Sequence, residues 1–197
     1  MNLLILAAGR GSRLPKKFRN YPKCLTKISG KTVFQFNYDF FMKFNQRFII
    51  SGYKSKLMKN KINTKLFKFI QNKKFRSTNM VHSMFLASNK ITNDVVVCYG
   101  DVIFDKKIYK IFEKKKNIIP LYKSWLSLWK KRMSFNKIKN DAEDLRIKNN
   151  KLVMIGEKII NKFPKYQYMG IFKLNKKDYF KLKDYYLSLN NKKIDMT

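Results

Sequence analysis

A chain of 197 residues, 45% hydrophobic and 15% aromatic, carries too much apolar material for a disordered protein and is short for two full domains. Its 45 basic against 12 acidic residues give a formal charge of +33, a balance that points to a polyanion: nucleic acid, a membrane surface or a small phosphate compound. The excess also has a compositional source, because Lys, Asn, Ile and Phe are all abundant, the lysines are scattered, and no arginine-rich arm is present, so nucleic acid is the less favoured partner.

Taken in chain order, the first predicted element is a strand over Leu3–Ala7, followed by Ala8-Gly9-Arg10-Gly11-Ser12-Arg13. This is not a Walker loop, and Leu14 stands where a dinucleotide fingerprint needs its third glycine. Small residues and glycines after a strand nevertheless let backbone N–H groups approach a phosphate, and Arg13 and Lys23 add charge beside them. Val33, Phe36, Phe40, Phe41 and Phe44 recur at helical spacing. Strands are predicted over Arg47–Gly52 and Leu66–Gln71, then a helix through Met80, Met84 and Ala87 capped by Ser77 or Thr78. A strand over Val95–Tyr99 runs into Gly100-Asp101, where a carboxylate beside a phosphate site suits Mg²⁺. Asp105 fits a helix cap better than a metal, with a helix over Lys106–Lys115 behind it. Strands over Ile118–Tyr122, Lys151–Ile155 and Tyr168–Leu174 and a helix over Lys176–Leu189 complete the chain.

Several strands are continuously apolar, as when both faces of a sheet are covered, and helices alternate with them. The expected fold is α/β, a Rossmann-like doubly wound, mainly parallel sheet in three α/β/α layers, with ligands at the carboxyl ends of its strands. One domain over 1–197 is expected. Cys24 and Cys98 lack zinc or disulfide spacing, and His82 is too little for a histidine metal site. A signal peptide core and a membrane-length apolar run are both missing from the sequence, so a cytoplasmic protein without membrane insertion is the default.

The order Leu-Ala-Ala-Gly-Arg-Gly-Ser-Arg-Leu, then Pro22-Lys23-Cys24-Leu25, then Gly30-Lys31-Thr32 resembles the signature of nucleotidyltransferases that make nucleotide sugars and related activated alcohols. Thr32 stands where that pattern has proline. The resemblance implies a triphosphate wrapped by the loop (Ala7, Gly9, Gly11, Ser12) with Arg13, balanced by Lys23, and a base lying on Leu6 and Ala8. Asp101 would hold Mg²⁺. Gly156-Glu157-Lys158 followed by Gln167-Tyr168-Met169-Gly170 resembles the family's Glu-Lys-Pro segment and the strand after it. This implies that Lys158 contacts the acceptor's phosphate and that Tyr168 lies on the acceptor side. The stretches from Ser77 and from Ser124 are similar to the subgroup of phosphocholine and aminoethylphosphonate cytidylyltransferases. That likeness implies CTP as donor and a small phosphorylated acceptor, with Asn79 reaching base or ribose.

Between Asp101 and Lys158, Trp125 and Trp129 with Asp141 and Glu143 are the ingredients of an ammonium site, an aromatic face and carboxylates. Packing of both tryptophans is the alternative. A sugar 1-phosphate remains the rival acceptor, and a non-catalytic nucleotide- or RNA-binding protein is the rival of a different class. The family pattern continues to a further carboxylate, a second metal ligand, and the resemblance therefore implies a chain lacking that C-terminal segment, a metal ligand supplied from elsewhere, or an impaired activity.

Overall fold

The computed structural model describes residues 1–12 and 15–189, and of Lys17 only the backbone. In chain order the strands are β1 (Asn2–Ala7), β2 (Lys27–Ile28), β3 (Lys31–Thr32), β4 (Gln46–Ser51), β5 (Lys68–Gln71), β6 (Val95–Tyr99), β7 (Leu121–Tyr122), β8 (Glu143–Lys148), β9 (Lys151–Lys158), β10 (Gln167–Tyr168) and β11 (Ile171–Leu174). The helices are α1 (Val33–Phe36), α2 (Tyr38–Phe41), α3 (Ser55–Lys61), α4 (Met80–Phe85), α5 (Tyr109–Phe112), α6 (Trp125–Lys130), α7 (Phe135–Asp141) and α8 (Lys176–Ser188).

Five strands form the main sheet in the order β11-β6-β1-β4-β5. β6, β1, β4 and β5 run parallel and β11 closes one edge antiparallel. The α/β, mainly parallel sheet expected from the alternation is the one found. Leu3, Leu4, Ile5, Ile49, Ile50 and Val95–Cys98 are at most 1% exposed, which is why these strands read as unbroken apolar runs. Ala7 lies opposite Ser51, Ser51 opposite Gln71 and Leu6 opposite Tyr99, so four carboxyl ends finish level with one another.

Several elements differ from the pattern expected. The Val33–Phe44 helix breaks at Asn37, a fully buried residue whose amide donates back to the Val33 carbonyl (3.2 Å) and across to the Val102 carbonyl (2.7 Å). The helix after β5 starts at Met80 with Asn79, not Thr78 or Ser77, in the cap position. Thr78 is instead held by Asn72 and bonds the Lys74 carbonyl. Only Tyr109–Phe112 of the Lys106–Lys115 stretch is α-helical, after a 3-10 turn whose cap is Asp105, accepting from the Lys107 N–H at 2.8 Å. The apolar run Tyr168–Leu174 is cut by Gly170, at φ +73°, into β10 and β11, which belong to different sheets. A side chain at Gly170 would meet the Tyr99 ring at 2.7 Å.

The contacts gather into two compact units, one of Met1–Ile118 with Gly170–Leu189, the other Ile119–Met169. The second unit holds the β8–β9 hairpin, the β7–β10 pair, α6 and α7 around a core of Trp125, Ile138, Ala142 and Ile159. The chain leaves the first unit and re-enters it within one ladder. Ile118 and Lys173 exchange both backbone hydrogen bonds, at 3.0 and 2.8 Å.

Lys173 is the unusual residue of β11, a lysine only 2% exposed. Its ammonium donates to the Phe112 and Lys114 carbonyls at 2.9 and 2.7 Å and pairs with Asp94 at 3.1 Å. Three donors meet three acceptors, two of them carbonyls at and just beyond the end of α5. Among the described residues no helix is long and apolar enough to cross a membrane.

Candidate active site

A cleft of about 260 Å³ opens where β1, β5 and β6 end, the place a parallel sheet offers to ligands. Leu6, Ala7, Ala8, Gly9, Lys23, Asn79 and Asp101 all line it. Gly11 is buried at φ +69°, a conformation that favours glycine, and Ser12 is exposed. Arg13 lies outside the described residues.

Asp101 stands one residue beyond Gly100, whose N–H donates to the Leu6 carbonyl at 2.9 Å. A side chain at Gly100 would press on Ala7 at 2.9 Å, so the strand end can carry only glycine at this close approach. Behind Asp101 the chain is pinned by Asn37, which accepts from the Phe104 N–H at 2.8 Å and donates to Val102. Lys23 opens a 3-10 turn after Pro22, and the next two residues, Cys24 and Leu25, are buried as its anchor. The two charged groups, 78 residues apart in sequence, meet with Lys23 Nζ 2.9 Å from Asp101 Oδ2. Both stay accessible, at 29% and 36% of their side-chain surface.

No group of three or more His, Cys, Asp or Glu gathers as a metal cluster among the described residues. A single accessible carboxylate nevertheless fits Mg²⁺, which commonly takes one or two carboxylates and completes its shell with phosphate oxygens and water. Cys24 lines the cleft as well, but burial and the Asp101 charge push its thiol up to about 12. Burial alone pushes Cys98 up too. The thiolate is the reactive form, so both thiols stay protonated and inert near neutrality. Ellman's reagent at pH 8 should therefore release less than about a tenth of the two thiols until denaturant is added; rapid native labelling of Cys24 would contradict its environment.

The far wall is built on Asn72, 1% exposed. Its N–H donates to the Ser51 carbonyl (2.7 Å), its amide to the Thr78 and Ser83 hydroxyls (3.0 Å each), and its carbonyl accepts from the Lys74 N–H (2.9 Å). Every polar atom of that side chain is used, which fixes the turn leading to Asn79. Gly52, after β4, allows the Phe75 side chain and the Ala8 carbonyl to close in; an added Cβ would lie 2.7 Å from each. Sequence reasoning missed Asn37, Gly52 and Asn72. Their one signal is position, a polar or glycine residue at a strand or helix end, and it does not tell a ligand from a brace.

The remaining expected residues lie in the second unit. Trp125 is a correction: it is 2% exposed, packed edge-on to Trp129 (5.3 Å) and Phe163 (5.7 Å), with its indole N–H donating to the Pro164 carbonyl at 3.1 Å. An enclosed ring has no face to offer an ammonium group, so the packing alternative holds for Trp125. Glu143 begins β8 directly opposite Lys158 at the end of β9. The Gln167 amide exchanges two hydrogen bonds with the Glu143 backbone, at 3.1 and 2.8 Å, and Tyr168 follows in β10. Asp141 is exposed at the end of α7.

Residues 3–114 match the MobA-like NTP transferase domain. The chain is 31% identical to the CTP:phosphoglutamine cytidylyltransferase of Campylobacter jejuni over 188 residues, covering 89% of this chain and 73% of that protein. It is 28% identical over 109 residues to the choline-phosphate cytidylyltransferase of Streptococcus pneumoniae, covering 53% of this chain and 46% of the relative. The inositol-1-phosphate CTP transferase of T. maritima shares the fold with a TM-score of 0.75 at 20% identity, over 99% of this chain and 77% of its own. This solved neighbour and the sheet order give the three-layer α/β/α architecture. The chain belongs to the MobA-like nucleotidyltransferase family and is an enzyme of nucleotidyl transfer.

Proposed function

We propose that the enzyme is a Mg²⁺-dependent cytidylyltransferase that moves CMP from CTP to a small phosphorylated amino-alcohol or phosphonate, of the phosphocholine or 2-aminoethylphosphonate type, and releases pyrophosphate. The observation that carries this reading is the Lys23–Asp101 pair, 2.9 Å apart at a cleft that also takes in Ala8 and Gly9. A cation for phosphates and a carboxylate for a metal, side by side at the end of a glycine loop, suit a substrate that brings a triphosphate and Mg²⁺ together. Two relatives are named as cytidylyltransferases, which supports CTP over the other nucleotides. A divalent metal is the usual helper in this family, and Mg²⁺ is the choice that one hard carboxylate and phosphate oxygens favour.

An acceptor oxygen attacks the α-phosphorus of CTP, the bond from that phosphorus to the bridging oxygen breaks, and pyrophosphate departs with the electron pair. Leu6 and Ala8 support the base, with Asn79 at base or ribose. The backbone N–H groups of Gly9, Gly11 and Ser12 orient the phosphates, and Lys23 with Arg13 stabilises charge on the departing pyrophosphate. Asp101 would hold Mg²⁺, which when bound draws charge from the phosphate oxygens. Lys158 and Tyr168 are assigned to the acceptor on the family segments they match, Lys158 for its phosphate. The cationic end of the acceptor is left to the carboxylates Asp141 and Glu143, since the Trp125 ring is enclosed.

Pyrophosphate release with each of four nucleoside triphosphates and a panel of acceptors tests the reading. CTP with phosphocholine or 2-aminoethylphosphonate should turn over at least about tenfold faster than with any hexose 1-phosphate, a difference of ~1.4 kcal/mol, and EDTA should abolish the signal. Faster turnover with a neutral sugar phosphate would move the acceptor to the sugar branch, and preference for another nucleotide would overturn CTP.

A further inference from the structure

The two residues that follow Gly52 touch the glycine loop's surroundings on both sides. The Tyr53 N–H donates to the Ala8 carbonyl at 3.0 Å, just before the loop. Its phenol donates to the Arg19 carbonyl at 2.9 Å, and the Lys54 ammonium to the Asn20 carbonyl at 2.8 Å, both beyond the loop. The Lys54 ammonium also lies 5.5 Å from the Tyr53 ring centre, so the two side chains support each other. Lys54 holds φ +48° and ψ +41°, a left-handed conformation that residues other than glycine adopt at a cost and keep where surrounding contacts demand it. Glycine would sit there without that cost. A lysine gives up that ease, and what it gains is the bond to Asn20.

We propose that Tyr53 and Lys54 are positioning residues for the nucleotide: they brace the chain before and after the glycine loop, so that the N–H groups of Gly9 and Ser12 hold one arrangement for a triphosphate. The inference rests on the reading of the loop as a triphosphate site. It does not follow from the loop motif, because both residues lie after β4, more than thirty positions beyond Arg19 and Asn20.

The test uses the full chain and titration of CTP in the presence of Mg²⁺, with the melting temperature of each variant. Tyr53→Phe, which removes only the hydroxyl, should weaken CTP binding about fivefold, as one lost hydrogen bond would. Lys54→Gly should weaken it about as much although the left-handed strain is relieved, so its melting temperature holds or rises. Lys54→Arg, which keeps a donor and the charge, should stay within about twofold of the parent. Without nucleotide, trypsin should cut after Arg10 and Lys16 faster in the first two variants. A parent that binds CTP, with Lys54→Gly and Tyr53→Phe binding it equally well, overturns the brace and leaves the triphosphate site standing. A parent that binds no nucleoside triphosphate removes that site, and the proposal with it. Weaker binding only where the melting temperature also falls would make these residues part of the fold alone, and Lys54→Gly is the variant that decides this.

Discussion

Asp101→Asn is expected to lower turnover about a hundredfold or more, ~2.7 kcal/mol of barrier, in a protein that still melts close to the parent temperature. Asparagine keeps the shape and loses the charge that a divalent cation needs. The fold has little at stake, because the ion pair with Lys23 is between accessible groups, worth on the order of 0–1 kcal/mol. The chain on either side is held by Gly100 and Asn37, which the substitution leaves alone. The readouts are the Mg²⁺ dependence of CTP binding and the rate of pyrophosphate release. An unchanged metal dependence in the folded variant would remove Asp101 from the metal. Asp105→Asn is the matched control: asparagine caps a turn as well as aspartate, so the rate should hardly move.

Lys173→Met should cause a large loss of stability for a substitution that leaves no cavity. The substitution keeps the length of the lysine and removes an ammonium that serves two carbonyls and the Asp94 carboxylate. Two carbonyls left without their donor cost about 1–3 kcal/mol each, and the Asp94 carboxylate, about a third exposed, adds a smaller share, for about 3–5 kcal/mol in all. At about 2–4 °C per kcal/mol for a chain of this size, the melting temperature should fall by roughly 6–20 °C. Adding Asp94→Asn should recover part of the loss by removing the stranded carboxylate. A loss below about 1 kcal/mol in denaturant titration would show that the bonds are replaced by water.

The sheet was legible in the sequence because its strands are covered on both faces, and unbroken apolar runs such as Val95–Tyr99 record that directly. The edge and the second unit were less legible. Gly170 divides one apolar run between two sheets by a turn at positive φ, and no periodicity marks such a break. The helices α6 and α7 and the hairpin β8–β9 bury only part of their length, so their apolar positions are too few to set a period. In the site, spacing along the chain pointed to Gly9, Lys23 and Asp101, residues that line one cleft. Asn72 and Asn37 could not be found that way, since what they do depends on partners in other elements, such as Val102 sixty-five positions from Asn37. Trp125 shows the converse. A tryptophan between candidate carboxylates reads equally as a cation platform or as core, and only its enclosure by Trp129 and Phe163 separates the two. Thr32 stands where the family pattern has proline, and it starts α1 by a reciprocal pair of bonds with Gln35.

The ladder in which Ile118 and Lys173 bond each other has an evolutionary consequence. A segment that departs and returns through neighbouring rungs can lengthen, shorten or be exchanged without disturbing the order of the strands that carry Gly9 and Asp101. The Lys173 ammonium then acts as a rivet at the seam, fastening the returning strand whatever lies between. Descendants of one ancestor could in this way diverge in everything from Ile119 to Met169 while inheriting the half that carries Gly9 and Asp101 unchanged, a modular inheritance in which new preferences arise by grafting and not by rebuilding.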